Sequence, residues 1–486
     1  MIFIMQKRMM RSRGAAVARL GALAGLAALA GLAALAGLGA LGALGATGSA
    51  AATGSGAAAK YAAAMMDAAP AAEYAAAAMG TAPAVGRAAA MMGTVPASRV
   101  GLPAATAYVA NAGSDTVTPI DTVTGAHGPA ITVHGGPAQI AVAPDGATAY
   151  VASQNQGLVT PIDTLTDVPG KAIKVGADSE FVAITPDGRT VLAANAGPGT
   201  VTPIDTATDK PGRPIPVAAD PDYIAITPDG RTAYVASAPT FDGRGTVTPI
   251  DIATGTPGKA VRVGADPVDI AITPDGRTAY VVNEFSGTVT PISIATGIAG
   301  RPIRVGGMPC QIAITPDGRT AYVVNGNRTG SLMPIDTATG AVGTAINAGE
   351  FSDLVTISPD GTTAYVAAFT GRGPILTGIV TPVRLPSGTP GTPVILGGRT
   401  GATGIAITPD GSAAYVAALA ITPHMPGIVV PINTRTGTAG QVIHVGNEPL
   451  GIAITPCPGR NARVSGPVRG RPGSRRAGPG SRGRPW

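Results

Sequence analysis

The chain is poor in the residues that most protein chemistry uses. Of its 486 residues only 3% are aromatic and 13% charged, and it has two cysteines, four histidines and one tryptophan. Two cysteines exclude a disulfide scaffold and a four-thiolate metal site. His127, His134, His424 and His444 are scattered, and no pair has metal-ligand spacing. No nucleophile elbow, phosphate loop, HExxH or CxxC occurs. No metal, cofactor or catalytic constellation is therefore expected. What the chain has instead is glycine (69), proline (45) and 45% apolar residues, a content that excludes wholesale disorder.

The formal charge is +6, with a pI near 9.4, but it is unevenly placed. Residues 1–103 carry eight Lys/Arg against Asp67 and Glu73, and residues 458–486 carry eight Arg and no acid. The stretch between them, 104–457, holds 18 basic and 26 acidic residues, a net of −8. Basic charge thus belongs to the ends, and the ends and the middle call for different partners.

At the N-terminus, Lys7, Arg8, Arg11, Arg13 and Arg19 precede an uncharged Ala/Leu/Gly run over 20–46. A basic flank before an apolar run is the pattern of an export signal. As a helix the run would reach roughly 40 Å, long enough to stay in a membrane of about 30 Å hydrocarbon thickness, so residues 1–46 read as a signal peptide or an N-terminal anchor. Small residues after it, Gly48, Ser49, Ala50 and Ala52, suit a peptidase, and a start at Met5, Met9 or Met10 is an alternative reading. Residues 47–103, rich in Ala, Gly and Met, read as a tether.

From residue 104 the chain repeats. Pro-Asp-Gly recurs at 144, 186, 228, 274, 316, 359 and 409, at spacings of 42, 42, 46, 42, 43 and 50 residues. Each copy sits between two apolar runs, as in Ile224-Ala225-Ile226-Thr227 and Ala233-Tyr234-Val235-Ala236. A third run reads Val201-Thr202-Pro203-Ile204-Asp205 and a fourth Ala260-Val261-Arg262-Val263-Gly264. All are short, β-branched and bounded by turn residues, so one period is four strands. Four antiparallel strands in about 42 residues is the size of a β-propeller blade.

These residues resemble the YVTN family of β-propeller repeats, whose second strand reads here YVAN at 108–111 and YVVN at 280–283 and 322–325. The resemblance covers 104–457 and implies an all-β propeller of a bacterial surface or secreted type. Members usually have seven blades, but counting strands A to D in blade order gives eight copies of each. Strand A begins at Ile140, Val182, Ile224, Ile270, Ile312, Val355, Ile405 and Ile452. The first repeat lacks its own strand A and the last strand, Ile452-Ala453-Ile454-Thr455, has no partner, so joining the two should close the ring.

Most recurring features have a structural reading. Pro-Asp-Gly is turn chemistry between A and B. Tyrosine marks strand B in seven blades, one large side chain for each wedge between sheets, with Leu192 in the eighth. Pro119, Pro161, Pro203, Pro249, Pro291, Pro334, Pro382 and Pro431 fall within strand C, where a ladder needs an amide hydrogen. A short strand D that leaves strand C partly an edge would reconcile them.

Function is expected on one rim. The A-to-B and C-to-D turns are nearly constant, whereas the B-to-C loops vary, up to 369–378 and 418–427, and these share a rim with the D-to-A loops. The D-to-A segments carry Asp178, Glu180, Asp220, Asp222, Asp266, Asp269, Glu350, Asp353 and Glu448, with Arg399 the obvious basic exception. An acidic ring at the channel mouth would attract cationic groups, while the blander reading makes these acids solvated turn residues. His424 is the only histidine on this rim.

The tail, 458–486, reads as disordered. Its Arg469-Gly470-Arg471-Pro472 and Arg482-Gly483-Arg484-Pro485 resemble the core of an AT-hook. With Arg475 and Arg476 these arginines suit acidic cell-envelope polymers better than nucleic acid if the protein is exported. The expectation is a monomeric, non-enzymatic binding scaffold, secreted or at the cell surface, that takes a protein or a small cationic or neutral ligand. The alternatives are a propeller enzyme, such as a lactonase or dehydrogenase-like subunit, and polyanion binding through the tail.

Overall fold

The computed structural model describes residues 105–238, 243–370, 377–398, 400–420 and 426–456. The expected N-terminal segment, tether and Arg-rich tail lie outside them, as do Arg399, His424 and Cys457. No helix of the described residues is long and apolar enough to cross a membrane, and the only helical element is one 3-10 turn, Ala112–Ser114.

Eight antiparallel sheets follow one another in a ring, so the strand count of eight holds against the customary seven. The second blade shows the plan. Strand A is Pro137–Val142, B is Thr148–Ser153 and C is Leu158–Asp163, and D comes in two pieces, Val168–Pro169 and Ile173–Lys174. In the sixth blade strand D shrinks to two isolated bridges, Leu332 to Ile346 and Ile335 to Val342. The first blade is composite. Its strands Thr106–Asn111, Thr116–Asp121 and Ile131–Thr132 take Pro449–Ile454 as their inner neighbour. The register runs from Ala107 opposite Ile454 to Asn111 opposite Pro449.

The strand C prolines are accommodated by the break in strand D. In the third blade, Thr200 and Val201 pair with one piece and Ile204 and Asp205 with the other, leaving Pro203 opposite the gap. Its carbonyl still accepts a hydrogen bond, from the Gly212 amide at 2.7 Å, and all eight prolines make this bond to a glycine, at 2.7 to 2.9 Å. Glycine suits that position, since a Cβ on Gly212 would lie 3.0 Å from Cγ of Pro203 and crowd the ring. The missing proline N–H therefore orphans nothing.

The Pro-Asp-Gly turns behave as their chemistry requires. The seven turn glycines have φ between 69° and 76°. Thr185 Oγ1 and the Arg189 amide both donate to Asp187 Oδ1, at 2.6 and 3.1 Å, and these bonds hold its carboxyl below the usual carboxylate range. Each turn also leans on the previous one. A Cβ on Gly188 would lie 3.3 Å from Cδ of Pro144, and Gly146 faces Pro456 in the same way across the closure.

The core is divided among the junctions between blades, one buried cluster for each of the eight. Tyr108 of the first blade, for example, is buried with Ile140, Val151 and Ile162 of the second. Its hydroxyl adds a polar tie that the composition did not disclose. Tyr108 donates to Asp167 Oδ1 at 2.6 Å, Tyr280 to the Thr337 carbonyl at 2.8 Å and Tyr415 to the Thr122 carbonyl at 2.9 Å, in each case in the next blade's C-to-D turn. One side chain thus fills the wedge and fixes the neighbour's rotation.

Candidate functional site

The strand A segments surround a central cavity of about 400 Å³ to which all eight blades contribute. The two consecutive positions before Ile140, Val182, Ile224, Ile270, Ile312, Val355, Ile405 and Ile452 line it. The outer of the two holds Ala138, Glu180, Asp222, Val268, Cys310, Asp353, Thr403 and Leu450. The inner holds Gln139, Phe181, Tyr223, Asp269, Gln311, Leu354, Gly404 and Gly451.

The inner set ties blade to blade. Gln139 Oε1 accepts the Val182 amide at 2.9 Å, and Gln311 Oε1 accepts the Val355 amide at 2.7 Å. Asp269, only 3% exposed, accepts its own blade's Ile270 amide at 2.8 Å and the next blade's Ile312 amide at 3.0 Å. Phe181 and Tyr223 pack with ring centroids 4.2 Å apart and their planes tilted by 44°. Burial pushes the Tyr223 hydroxyl well up, aided by its hydrogen bond to the Asp269 carboxylate. Where the inner residue is glycine the strands close directly, since a Cβ on Gly451 would lie 2.6 Å from the Ala138 carbonyl oxygen. Asp269 therefore acts as a clasp in the ring, its oxygens committed to backbone amides.

The nine candidate acids separate by placement. Glu180, Asp222, Asp269 and Asp353 come together in the cavity lining. Asp178, Asp220, Asp266 and Glu448 are turn residues with left-handed φ of 54°, 52°, 56° and 53°. Their carbonyls accept the Ala196, Ala238, Glu284 and Ala112 amides at 2.9 to 3.2 Å, which pins the D-to-A turn to the start of the B-to-C loop. Aspartate tolerates this conformation better than most residues, so the backbone accounts for much of the pattern. Burial raises the Asp178 carboxyl. Glu350 opens the strand Glu350–Ile357, opposite Phe369.

Two lining residues were not anticipated. Glu284, 3% exposed, and Gln154 each occupy the first position after strand B and reach the cavity from the loop side. Their equivalents in four other blades are the small residues Ala112, Ala196, Ala238 and Gly326 and in the last two the apolar Phe369 and Leu419, and that contrast was the available signal. Oδ2 of Asp353 is buried and has no hydrogen-bond partner among the described residues. The lining contains no Lys, Arg or His among the described residues.

Above the cavity the rim is uneven, as the loop lengths lead one to expect. In the last two blades strands B and C lengthen to eight residues, Thr363–Thr370 with Thr377–Arg384 and Ala413–Ala420 with Pro426–Asn433. Phe351, Phe369 and Leu419 form an apolar contact there. His134, just beyond the strand Ile131–Thr132, and His444, in an outer strand, are both exposed, and no group of three or more His, Cys, Asp or Glu among the described residues could hold a metal ion.

No protein-family model and no curated protein matches the chain. Solved structures do. The chain is similar to dihydro-heme d1 dehydrogenase NirN in complex with DHE, at 19% identity and a TM-score of 0.60, over 74% of this chain and 77% of that one. It is also similar to a functionally unknown protein from Desulfotomaculum acetoxidans, at 17% identity and a TM-score of 0.52, over 72% of this chain and 99% of that one. At these identities the likeness shows the eight-bladed propeller fold and nothing finer.

Proposed function

We propose that this is an exported, non-enzymatic propeller of the YVTN type that holds a cationic or neutral ligand over the mouth of its central channel. The observation that carries the reading is the channel lining. Glu180, Asp222, Glu284 and Asp353 converge on one cavity whose described lining supplies no basic side chain, and a low-dielectric wall strengthens the field they make. The same lining offers carboxylates, amides, one thiol and two aromatic rings, which is a recognition surface rather than an assembled acid-base pair. The ring of clasps beneath it gives the rigid support that a binding surface on loops needs.

Calorimetric titration with spermidine tests the reading. The triple variant Glu180→Gln, Asp222→Asn, Asp353→Asn should bind at least about tenfold more weakly, roughly 1.4 kcal/mol. Asp269 is left intact because its loss would disturb the ring. Equal affinity in the variant would make the lining a solubility device. Export rests on the basic flank and the apolar run over 20–46, and the N-terminal residue of the native protein decides it. A mature protein that retains residues 1–46 and is found in the cytosol would end that part of the proposal.

A further inference from the structure

The fold places eight of the propeller's 18 basic residues on one side of its circumference. The outer strands of the second to fifth blades, with the turns leading into them, carry Lys171, Lys174, Lys210, Arg213, Lys259, Arg262, Arg301 and Arg304, and no acid lies within 168–176, 210–218, 256–264 or 298–306. The corresponding segments of the other four blades, 340–348, 389–397, 438–446 and 127–134, contain no Lys or Arg and only His127, His134 and His444. All eight cations are exposed. Among the described residues none of them is in an ion pair.

Repeat geometry makes this a continuous surface. Lys171, Arg213, Lys259 and Arg301 each follow the glycine that crosses the strand C proline, so they recur at one height around the ring. Lys174, Arg262 and Arg304 come three residues later, beside a position that turns inward, as Ile173 does. Neighbouring outer strands touch: Ile173–Lys174 lies against Lys210–Pro211, Ile215–Pro216 against Thr256–Pro257, and Val261–Ala265 against Ile298–Ala299. The nearby turn carboxylates are hydrogen-bonded to other groups, Asp163 to Thr166, Asp167 to Tyr108, Asp205 to Thr208, Asp209 to Tyr150 and Asp251 to Thr254, with Lys210 also close enough to help hold the Asp205 carboxyl down.

Edge protection does not explain the arrangement. Lys on edge strands discourages sheet-to-sheet pairing, but all eight blades have an outer edge and four of them do without any Lys or Arg there. A propeller with a net charge of −8 over 104–457 that collects eight cations on four adjacent blades has a directional field, and such a field selects a partner by sign.

We infer that the outer edge of the second to fifth blades binds a flexible anionic polymer of the polyphosphate kind, wrapped along the circumference. A chain with recurring charges can follow a convex belt, which a flat membrane touches only along a line. The belt segments contain no Phe, Tyr or Trp, so the stacking platform that single-stranded nucleic acid uses is missing from them. This surface lies apart from the channel, and the inference stands whether or not the channel reading does.

The test uses the full chain and fluorescently labelled polyphosphate, with sodium alginate as the carboxylate counterpart, over a series of salt concentrations. The belt variant carries Lys171→Gln, Arg213→Gln, Lys259→Gln and Arg301→Gln. A control, Thr132→Glu, Thr344→Glu, Thr392→Glu and Gln441→Glu, changes net charge by the same amount on the opposite outer strands. The belt variant should bind at least about tenfold more weakly, with a salt slope smaller by roughly 3, at about 0.7 per lost contact. The control should stay within about threefold, a small change on the affinity scale. Polyphosphate should bind more tightly than alginate, and tighter binding of alginate would overturn the inference. Protection of Lys171, Lys174 and Lys259 from acetylation by bound polymer gives a readout independent of the variants' folding. Equal weakening by belt and control variants would overturn the inference. So would loss of all binding on changing Arg469, Arg471, Arg475, Arg476, Arg482 and Arg484 to Gln, or binding to phosphatidylglycerol vesicles but to neither polymer.

Discussion

A chain ending at Asn447 should lose cooperative unfolding altogether, whereas one ending at Cys457 should melt as the full-length protein does. The difference is the strand Pro449–Ile454, which forms the inner edge of the first blade. Without it the ladder from Ala107 to Asn111 has no inner neighbour, and the cluster at the junction of the last and first blades loses Ile452 and Ile454. The reciprocal bonds between Thr106 and Thr455 go as well, the Thr106 amide to Thr455 Oγ1 and the Thr455 amide to the Thr106 carbonyl, both at 2.9 Å. An open ring exposes two sheet faces and two edges at once, a loss comparable with the whole margin of roughly 5–15 kcal/mol that holds a typical domain. A milder form keeps the chain intact. Ile452→Ala should cost about 1–3 kcal/mol, below the usual range for a fully buried isoleucine because this one is half-buried. Urea unfolding followed by circular dichroism measures both. A truncated chain that kept a sharp transition at the same midpoint would mean that the ring does not depend on its closing strand.

The propeller should lose stability steeply in alkali, above pH 10. Burial raises the hydroxyl pKa of Tyr108, Tyr150, Tyr234, Tyr280, Tyr322, Tyr365 and Tyr415, and nearby carboxylates add to the rise in most of them. In the unfolded chain these groups ionise near pH 10, while in the folded protein they stay protonated. The native state then binds more protons, and stability falls as pH rises above 10 towards the folded pKa values. Each such tyrosine removes up to about 1.4 kcal/mol per pH unit in that window. Tyr108 and Tyr150 are shifted furthest and carry the loss over the widest pH range, and the other five add to it above pH 10. Urea midpoints from pH 8 upward should be flat and then drop steeply, with tyrosinate absorbance appearing together with loss of structure. Tyrosinate forming ahead of unfolding would show that the hydroxyls are not confined. At neutral pH, Tyr108→Phe should cost about 1–2 kcal/mol for the lost bond to Asp167, whereas Tyr108→Ala should cost about 3–5 kcal/mol by emptying the wedge. Leu192 holds the same position in one blade, so hydrocarbon fills the space without the hydroxyl.

Both expectations depend on features of unequal visibility in the sequence. The closing strand is legible because an unpartnered Ile-Ala-Ile-Thr at one end matches a missing copy at the other, and only a ring satisfies both. The tyrosines are legible as wedge residues from their spacing. Their hydroxyl bonds are not, because the acceptors are backbone carbonyls and a few aspartates some 56 to 69 residues away within the ring, or 293 across the closure. The channel acids show the same limit. Asp178 and Glu180 are two residues apart, yet one forms a left-handed turn and the other lines the cavity. Asp269 is chemically equivalent to Asp222 and one register position away, and that single step converts a channel-facing carboxylate into a clasp for the Ile312 amide. Strand alternation sets such roles, and a count of acids per loop does not resolve it.

The sequence by itself determined the blade, the number of blades and the manner of closure. These follow from local turn chemistry and from repetition, where the same short-range argument recurs eight times and errors at one copy are corrected by the others. It also determined that net charge is opposite in sign between the middle of the chain and its ends. Only the tertiary structure decided which acids share a cavity and which side chains bridge neighbouring blades. It likewise decided that eight cations, spread over 134 residues of an acidic domain from Lys171 to Arg304, lie side by side on one edge. The physical reason is that a repeat places residues one period apart, about 42 positions in the chain, at neighbouring points of a ring. Electrostatics and hydrogen bonding act over distances of a few ångströms in that ring, whatever their separation in sequence.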